Sequence, residues 1–266
     1  RAARRIWARW MKQRYGATAE RALQLRFHTQ TAGVSLTAQQ PEINIVRTAI
    51  EALAGVLGGT QSLHTNSMDE TLALPTEKSA RIALRTQQVI AHETRVTQVA
   101  DPLGGSYFLE SLTDEIERRA EEYFAEIEAF GEGSMLQGAY HGIEEGWFQG
   151  EIANAAYDLE RKLNRGEHQI IGVTGFREGN EEPQPETLYI DRTTEETQIK
   201  RLGEVRADRN GAAVAESLAV LAQQSQDPEV NLMPALISAS QAYATLGEVM
   251  NTLAITFGRW EESAQI

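Results

Sequence analysis

No cysteine occurs among the 266 residues. Its absence excludes disulfides, thiolate zinc or iron–sulfur sites and a thiol nucleophile, and it fits a reducing compartment such as the cytoplasm. Long apolar runs are also missing: stretches such as Ile50 to Leu57 fall far short of the roughly 20 residues that cross a bilayer. Cationic charge is scarce, with 25 Lys and Arg against 38 Asp and Glu and a net charge of −13. That balance disfavours a broad nucleic-acid surface, which needs clustered basic groups. What is present is the composition of an ordinary globular chain, 41% apolar and 24% charged, outside the range of disordered sequences.

The few cations are unevenly placed. Residues 1–26 carry Arg1, Arg4, Arg5, Arg9, Lys12, Arg14, Arg21 and Arg26 against Glu20, a net of +7. An organellar transit peptide would be Ser-rich, and this stretch is not. Ile6, Trp7, Trp10 and Met11 instead predict a packed helix. Arg1 to Arg5 already has helical character with no capping residue ahead of it, so the chain reads as starting inside an element, as a piece of something longer.

Three strand–loop–helix passes follow. Alternation at Leu23, Leu25 and Phe27 predicts a strand running into a polar loop, His28 to Gly33. Pro41 and the stripe Ile43, Val46, Ile50, Leu53 and Leu57 predict a helix closed by Gly58-Gly59. A second strand near Gln61 to His64 leads into the loop Thr65 to Glu70, and after Pro75 a helix carries Ile82, Val89 and Ile90. The third pass predicts a strand over Val96 to Ala100, the turn Asp101 to Gly105, and a long helix from Leu109 to Phe130 whose acidic run Asp114 to Glu128 reads as its solvated face. Strand, loop and helix in repetition point to parallel α/β architecture, a doubly wound sheet or a (β/α)8 barrel, with chemistry in the loops after the strands. Three units do not close a barrel of eight strands.

Beyond Gly131 the pattern turns mostly helical. A helix ends at Gly166, Ile170 to Val173 predicts a short strand, and Arg177 to Glu186 a linker. Helices are expected over Glu195 to Arg209, Ala212 to Gln224 and Ala235 to Phe257, the last broken near Leu246-Gly247. A subdomain boundary is set near residue 166, dividing the chain into 1–166 and 167–266.

The residues alone leave the chemistry open. There is no GxGxxG, GxxxxGK[ST], GxSxG or HExxH pattern. His28, His64 and Glu70 could assemble a metal site. Amides at Asp101 to Gly105 could form a nest that holds an anion, or a plain turn. His28 with Gln30 suits proton shuttling or hydrogen bonding, against a buried structural pair. Asn66 and Glu70, at i and i+4, suit a ribose diol, against a surface loop.

Four segments carry a resemblance: Leu25-Arg-Phe-His-Thr-Gln-Thr-Ala-Gly-Val-Ser-Leu-Thr-Ala-Gln-Gln-Pro41, Gly58-Gly-Thr-Gln-Ser-Leu-His-Thr-Asn-Ser-Met-Asp-Glu70, Ala73-Leu-Pro-Thr76 and Asp101-Pro-Leu-Gly-Gly-Ser-Tyr107. Together with Asn231-Leu-Met-Pro-Ala through Ala244-Thr-Leu-Gly-Glu248, they resemble the methylmalonyl-CoA mutase family. The resemblance implies the last βα units of a (β/α)8 barrel threaded by an acyl-CoA, followed by a mostly helical region. It implies adenosylcobalamin, whose homolysis gives a hydrogen-abstracting radical. By matching positions, His28 and Gln30 resemble contacts to substrate and corrin, Gln61 and Ser62 the acyl-CoA channel, and Asn66 and Glu70 the holders of the adenosyl ribose.

The departures are informative. The family's DxHxxG cobalt-ligating motif is absent, so the resemblance implies a cobalamin-binding domain or small subunit elsewhere, and the tail to Ile266 favours a separate subunit. The missing amino-terminal half of the barrel and a dimer or hetero-oligomer are the other expected partners. Val34 stands where some relatives carry an aromatic residue, and Val173-Thr174-Gly175-Phe176 replaces Val-Asn-Lys-Tyr. The implied substrate is methylmalonyl-CoA, with isobutyryl-CoA, ethylmalonyl-CoA and 2-hydroxyisobutyryl-CoA as competing choices, and a non-catalytic fragment or assembly partner as the second class of reading.

Overall fold

The computed structural model describes residues 1–177 and 185–261. Residues 178–184 of the expected linker and the tail residues 262–266 lie outside them. The chain is mixed α/β and helix-rich, and it divides into two compact units, one reaching to Tyr189 and one from Ile190 onward.

The first unit begins with α1 (Ala2–Gln13) and a 3-10 turn at Glu20–Leu23. Then come β1 (His28–Gln30), α2 (Ile43–Leu57), β2 (Ser62–His64) and α3 (Glu77–Glu93). It ends with α4 (Tyr107–Phe130), α5 (Met135–Glu144) and α6 (Trp147–Asn164). β1 and β2 pair in parallel with His28 opposite Ser62, Thr29 opposite Leu63 and Gln30 opposite His64. α2 is the crossover between them, as parallel strands require.

Several expectations are corrected. The first strand lies at His28–Gln30, with Leu23 in the 3-10 turn, so His28 and Gln30 sit on the ladder and not in the loop beyond it. Val96–Gln98 is a 3-10 turn and no strand, because Arg95 turns left-handed (φ 61°) and leaves Val99 60% exposed with no ladder to join. Ile170 to Phe176 is a tight turn closed by Thr174 Oγ1 accepting from the Ile170 N–H (2.8 Å), with a single bridge between Ile171 and Gly175.

α2 forms as predicted but turns the other face inward. Asn44, Thr48 and Ala52 are buried, whereas Val46 and Ile50 are 53% and 64% exposed. Inward orientation follows the hydrogen bonds available there, described below, and not the apolar stripe.

The acidic run of α4 is likewise only half solvated. Arg118 and Arg119 pair with Glu115 on the open side at 2.8 and 2.7 Å. On the other side α1 lies along the helix: Arg1 binds Glu110 (2.7 Å) and Asp101 (3.0 Å), Arg5 binds Asp114 (2.7 Å) and Glu117 (2.8 Å), Arg9 grips Glu117 and Glu121, and Arg14 binds Glu128 (2.8 Å). The Arg1 guanidinium, helped by the Gly105 N–H, holds the Glu110 carboxyl down to about 2. Trp10 joins the seam through Nε1 to Glu121 (2.9 Å) and an edge-on contact with Phe124.

The second unit holds α7 (Arg192–Asp208), α8 (Gly211–Gln224), α9 (Met233–Gln241) and α10 (Leu246–Phe257). The expected break falls at Ala242–Thr245, just ahead of Leu246-Gly247. Thr245 and Glu248 form a capping box at the start of α10. Leu221 and Ala239 are fully buried where α8 meets α9. Arg209, at the end of α7, makes a two-pronged pair with Glu248 (2.6 and 2.7 Å) and reaches the Tyr243 carbonyl (2.9 Å).

Arg209 first, then the Thr245 N–H, hold the Glu248 carboxyl well below its usual 4.5. A depressed folded-state pKa stabilises above the unfolded value and loses that contribution as pH falls. Stability against urea should therefore decline more steeply below about pH 5 in the parent chain than in Glu248→Gln, and the variant should be about 1–2 kcal/mol less stable at pH 7. Identical pH slopes in parent and variant would show that this pair does not contribute to acid sensitivity.

Candidate functional site: the open face of the parallel strand pair

Side chains alternate across a strand, so the register of β1 and β2 decides what each face offers. Thr29 and Leu63 point toward α2, where a Cβ on Gly55 would lie only 3.1 Å from Thr29 Cγ2. Glycine at 55 is what lets the helix close on the sheet. His28, Gln30, Ser62 and His64 consequently share the opposite face, and all four are exposed.

Two of the sequence-predicted residues meet directly on this face: His28 Nδ1 lies 2.7 Å from Ser62 Oγ. Gln30 Nε2 reaches Asn66 Oδ1 at 3.4 Å, which carries the face into the loop after β2. Gln61 stands apart at the strand's amino end, where Oε1 accepts from the Phe27 N–H (2.7 Å) and Nε2 donates to the Gly59 carbonyl (2.9 Å).

The loop after β2 is built differently from its polar sequence. Thr65 to Asp69 are all buried, which a surface loop is not. Burial is tolerated because its polar groups find partners. Thr31 Oγ1 donates to Asn66 Oδ1 (3.0 Å) and accepts from the Asn66 N–H (2.9 Å). Asn44 of α2 is saturated: its Nδ2 donates to the carbonyls of Met68 and Thr37 (2.9 Å each), and its Oδ1 accepts from the Thr37 N–H (3.0 Å) and Arg47 (2.7 Å). From α3 and its cap, the Ser79 hydroxyl and the Thr76 N–H donate to Asp69 Oδ2 at 2.6 and 3.0 Å, while Thr65 donates to the Ala83 carbonyl (2.7 Å). Glu70, half-buried at the loop's end, accepts the Ser67 N–H on Oε1 (2.7 Å).

The same geometry decides the metal and anion sites that the sequence leaves open. His28, His64 and Glu70 do not assemble a metal site, and among the described residues no group of three such ligands does. The amides at Asp101 to Gly105 have their anion already, since the Gly105 N–H donates to Glu110 (2.8 Å). Sequence reasoning passes over His64 as part of the open face, although continuing the alternation from Ser62 places it there. Asn44 and Asp69 carry no local signal, because their importance comes from partners distant in sequence.

The profile of the family described as methylmalonyl-CoA mutase matches residues 1–259. The chain belongs to that family. Among its relatives, the 2-hydroxyisobutanoyl-CoA mutase large subunit of Aquincola tertiaricarbonis is 44% identical over 99% of this chain and 46% of its own length. The methylmalonyl-CoA mutase of Rhizobium meliloti (strain 1021) is 44% identical over 97% of this chain and 35% of its own. The mitochondrial methylmalonyl-CoA mutase of Homo sapiens is 40% identical over 97% and 34%. This mutase-family chain thus spans between about a third and a half of the length of the relatives it matches. Among its described residues no helix is long and apolar enough to cross a membrane.

Asn44→Ala would strip four hydrogen bonds from a fully buried position and leave the Met68 and Thr37 carbonyls unpaired, at about 1–3 kcal/mol for each orphaned group. Urea unfolding should show a loss of about 3 kcal/mol or more. Ser62→Ala, on the exposed face, should stay within about 0.5 kcal/mol. Comparable losses in the two variants would contradict this division between buried frame and open face.

Proposed function

We propose that this chain is part of the catalytic unit of an adenosylcobalamin-dependent acyl-CoA mutase. In this reading residues 1–166 supply the last βα units of a (β/α)8 barrel, and residues 167–266 belong to a mostly helical region of the catalytic subunit. The reaction is the isomerisation of a short acyl-CoA, methylmalonyl-CoA to succinyl-CoA in the first instance. Equal identity to the 2-hydroxyisobutanoyl-CoA mutase large subunit makes a related branched acyl-CoA the second reading. The remaining barrel strands and a cobalamin-binding domain or subunit would come from outside this segment, and the segment alone is expected to be inactive.

The observation that carries the reading is the shared open face. His28, Gln30 and Ser62 stand in register over a rigid base, and Gln30 continues into the loop of Asn66 and Glu70. The His28–Ser62 pair offers hydroxyl and imidazole hydrogen bonds to the oxygens of an acyl group. Gln30 adds an amide that can donate and accept. Gln61 and Ser62 lead toward the strands' amino ends, where the rest of a CoA ester would run.

The donor set of the loop suits an adenosyl ribose. Glu70 Oε2 and Asn66 Nδ2 have no partner among the described residues, while the other atoms of both side chains are fixed by Ser67, Thr31 and Gln30. An acceptor and a donor held this way match the two hydroxyls of a ribose. Adenosylcobalamin, when bound, supplies the radical that abstracts hydrogen. No DxHxxG motif is present, so the cobalt ligand is assigned to another domain or subunit. The task of this chain is to orient both ligands and to keep water from the reacting carbons.

Glu70→Gln keeps an acceptor for the Ser67 N–H and removes the charge offered to the ribose. In the holoenzyme containing this chain, kcat for methylmalonyl-CoA should fall about tenfold to a hundredfold with KM nearly unchanged, the mark of an interaction used mainly in the transition state. Turnover of the competing acyl-CoA esters in the same assay ranks the substrates. A raised KM with unchanged kcat would move Glu70 to the CoA channel, and no turnover of any of these esters would refute the mutase reading.

A further inference from the structure

The turn Ile170 to Phe176 rests against the start of α2 and the residue just before Pro41. Two side chains hold it there: Gln40 Nε2 donates to the Phe176 carbonyl (3.2 Å) and Arg47 Nη2 to the Ile171 carbonyl (2.8 Å). We propose that this turn is a strap with two positions: docked, as here, it locks the buried loop of Thr65 to Asp69 and the adjoining Glu70, and released, it lets that segment loosen. The consequence for ligands rests on the mutase reading, in which Asn66 and Glu70 hold the adenosyl ribose.

The link runs through one arginine. Arg47 pairs with no carboxylate among the described residues, and its guanidinium spans the contact instead. Nη2 holds the strap, while Nη1 donates to Asn44 Oδ1 (2.7 Å) and to Thr37 Oγ1 (3.0 Å). With Oδ1 occupied in this way, the buried Asn44 amide turns Nδ2 to the Met68 carbonyl (2.9 Å), in the middle of the loop. Release of the strap removes the acceptor on Nη2 and lets the guanidinium swing toward water, so the charge-assisted bond that orients Asn44 weakens with it.

The strap is docked under strain. Gln40 (φ 48°) and Phe176 (φ 53°) are both left-handed although neither is glycine, and they are the two residues joined across the contact. Such a backbone is disfavoured for any residue with a Cβ, and a bulky one is a marked outlier. Phe176 gains no burial in return, being 74% exposed. Inside the turn the Thr174 and Gly175 N–H groups both donate to the Ile170 carbonyl (2.9 and 3.2 Å), so it can leave α2 as a unit. Strain set against two hydrogen bonds places the docked and released positions close in free energy, as a switch requires.

Hydrogen exchange on the full chain tests the coupling. It follows the bonded amides of the strap (Gly172, Thr174 and Gly175) and of the loop (Asn66, Ser67 and Glu70). Gln40→Ala removes one contact, and Gly172→Ala puts a Cβ 3.1 Å from Gln40 Cδ at a φ of 82° that alanine resists. Both should speed exchange in strap and loop together, by about fivefold for the loss of a single hydrogen bond. Phe176→Asn keeps the carbonyl that Gln40 holds and suits the left-handed backbone better, so it should slow both sets by a similar factor. In the holoenzyme, the Kd of 5′-deoxyadenosine should rise in the first two variants and fall in the third. Loop rates that stay at the parent value while the strap is freed would overturn the inference, as would strap rates unmoved by both releasing variants. A flat Kd in a holoenzyme that binds 5′-deoxyadenosine would overturn the strap's link to the ribose. A parent holoenzyme that does not bind 5′-deoxyadenosine would refute the ribose reading instead, and exchange alone then decides whether the strap governs the loop.

Discussion

Five consecutive buried residues without regular secondary structure impose the main constraint on the first unit. Thr65 to Asp69 bring backbone and side-chain polar groups out of water, and each must be matched or cost free energy comparable to a lost hydrogen bond. The matches come from three directions: Thr31 beyond β1, Asn44 from α2, and Thr76, Ser79 and the Ala83 carbonyl from α3 and its cap. This requirement orients α2. Its apolar stripe is longer than its polar one, yet Asn44 at 0% exposure faces inward and Ile50 faces out, because only the polar side completes the loop. Asp69 shows the tension that remains, with Oδ2 saturated and the equally buried Oδ1 without a partner.

The helices can be read from local information alone. Periodicity and capping place α2, α3, α4 and α6 to within a few residues, since 3.6-residue spacing and terminal Gly or Thr act over a single turn. What fails requires knowledge of partners. Val96 and Val99 suggest a third strand, but a strand exists only against a neighbour, and Arg95 turns the backbone away. The acidic face of α4 reads as solvated, and Glu117 is buried because Arg5 and Arg9 come from more than 100 residues away. The six residues proposed for the site divide in the same way. Resemblance places them along the chain, while the register of β1 and β2 brings His28 to Ser62 and Gln30 to Asn66.

Charge follows a similar logic of pairing. Exposed ion pairs contribute little one at a time, and the α1–α4 seam owes its weight to arginines that share carboxylates along one groove. Glu117 takes both Arg5 and Arg9, and Glu121 takes Arg9 and the Trp10 indole. The seam consumes most of the cationic excess of residues 1–26. Arg26, past the 3-10 turn, makes no ion pair among the described residues.

In this unit the residues that close the sheet onto α2 lie on one face of the strand pair and the exposed polar residues on the other. Thr29, Leu63 and Gly55 close the sheet onto α2, and the buried loop locks the far end of β2 to α3. On the opposite face His28, Gln30, Ser62 and His64 are exposed, and among the described residues Gln30 alone of the four has its side chain bonded to the buried loop, through Asn66. Asn66 Oδ1 is held by Thr31 and Gln30, so under the proposed reading a ligand would not have to order it. Under the proposed mutase reading the demand on the protein would be to hold its ligands still, with reactivity coming from the cofactor and selectivity from how little the bound groups can move. A face whose hydrogen-bonding atoms are fixed by a buried frame meets that demand more directly than a flexible loop would.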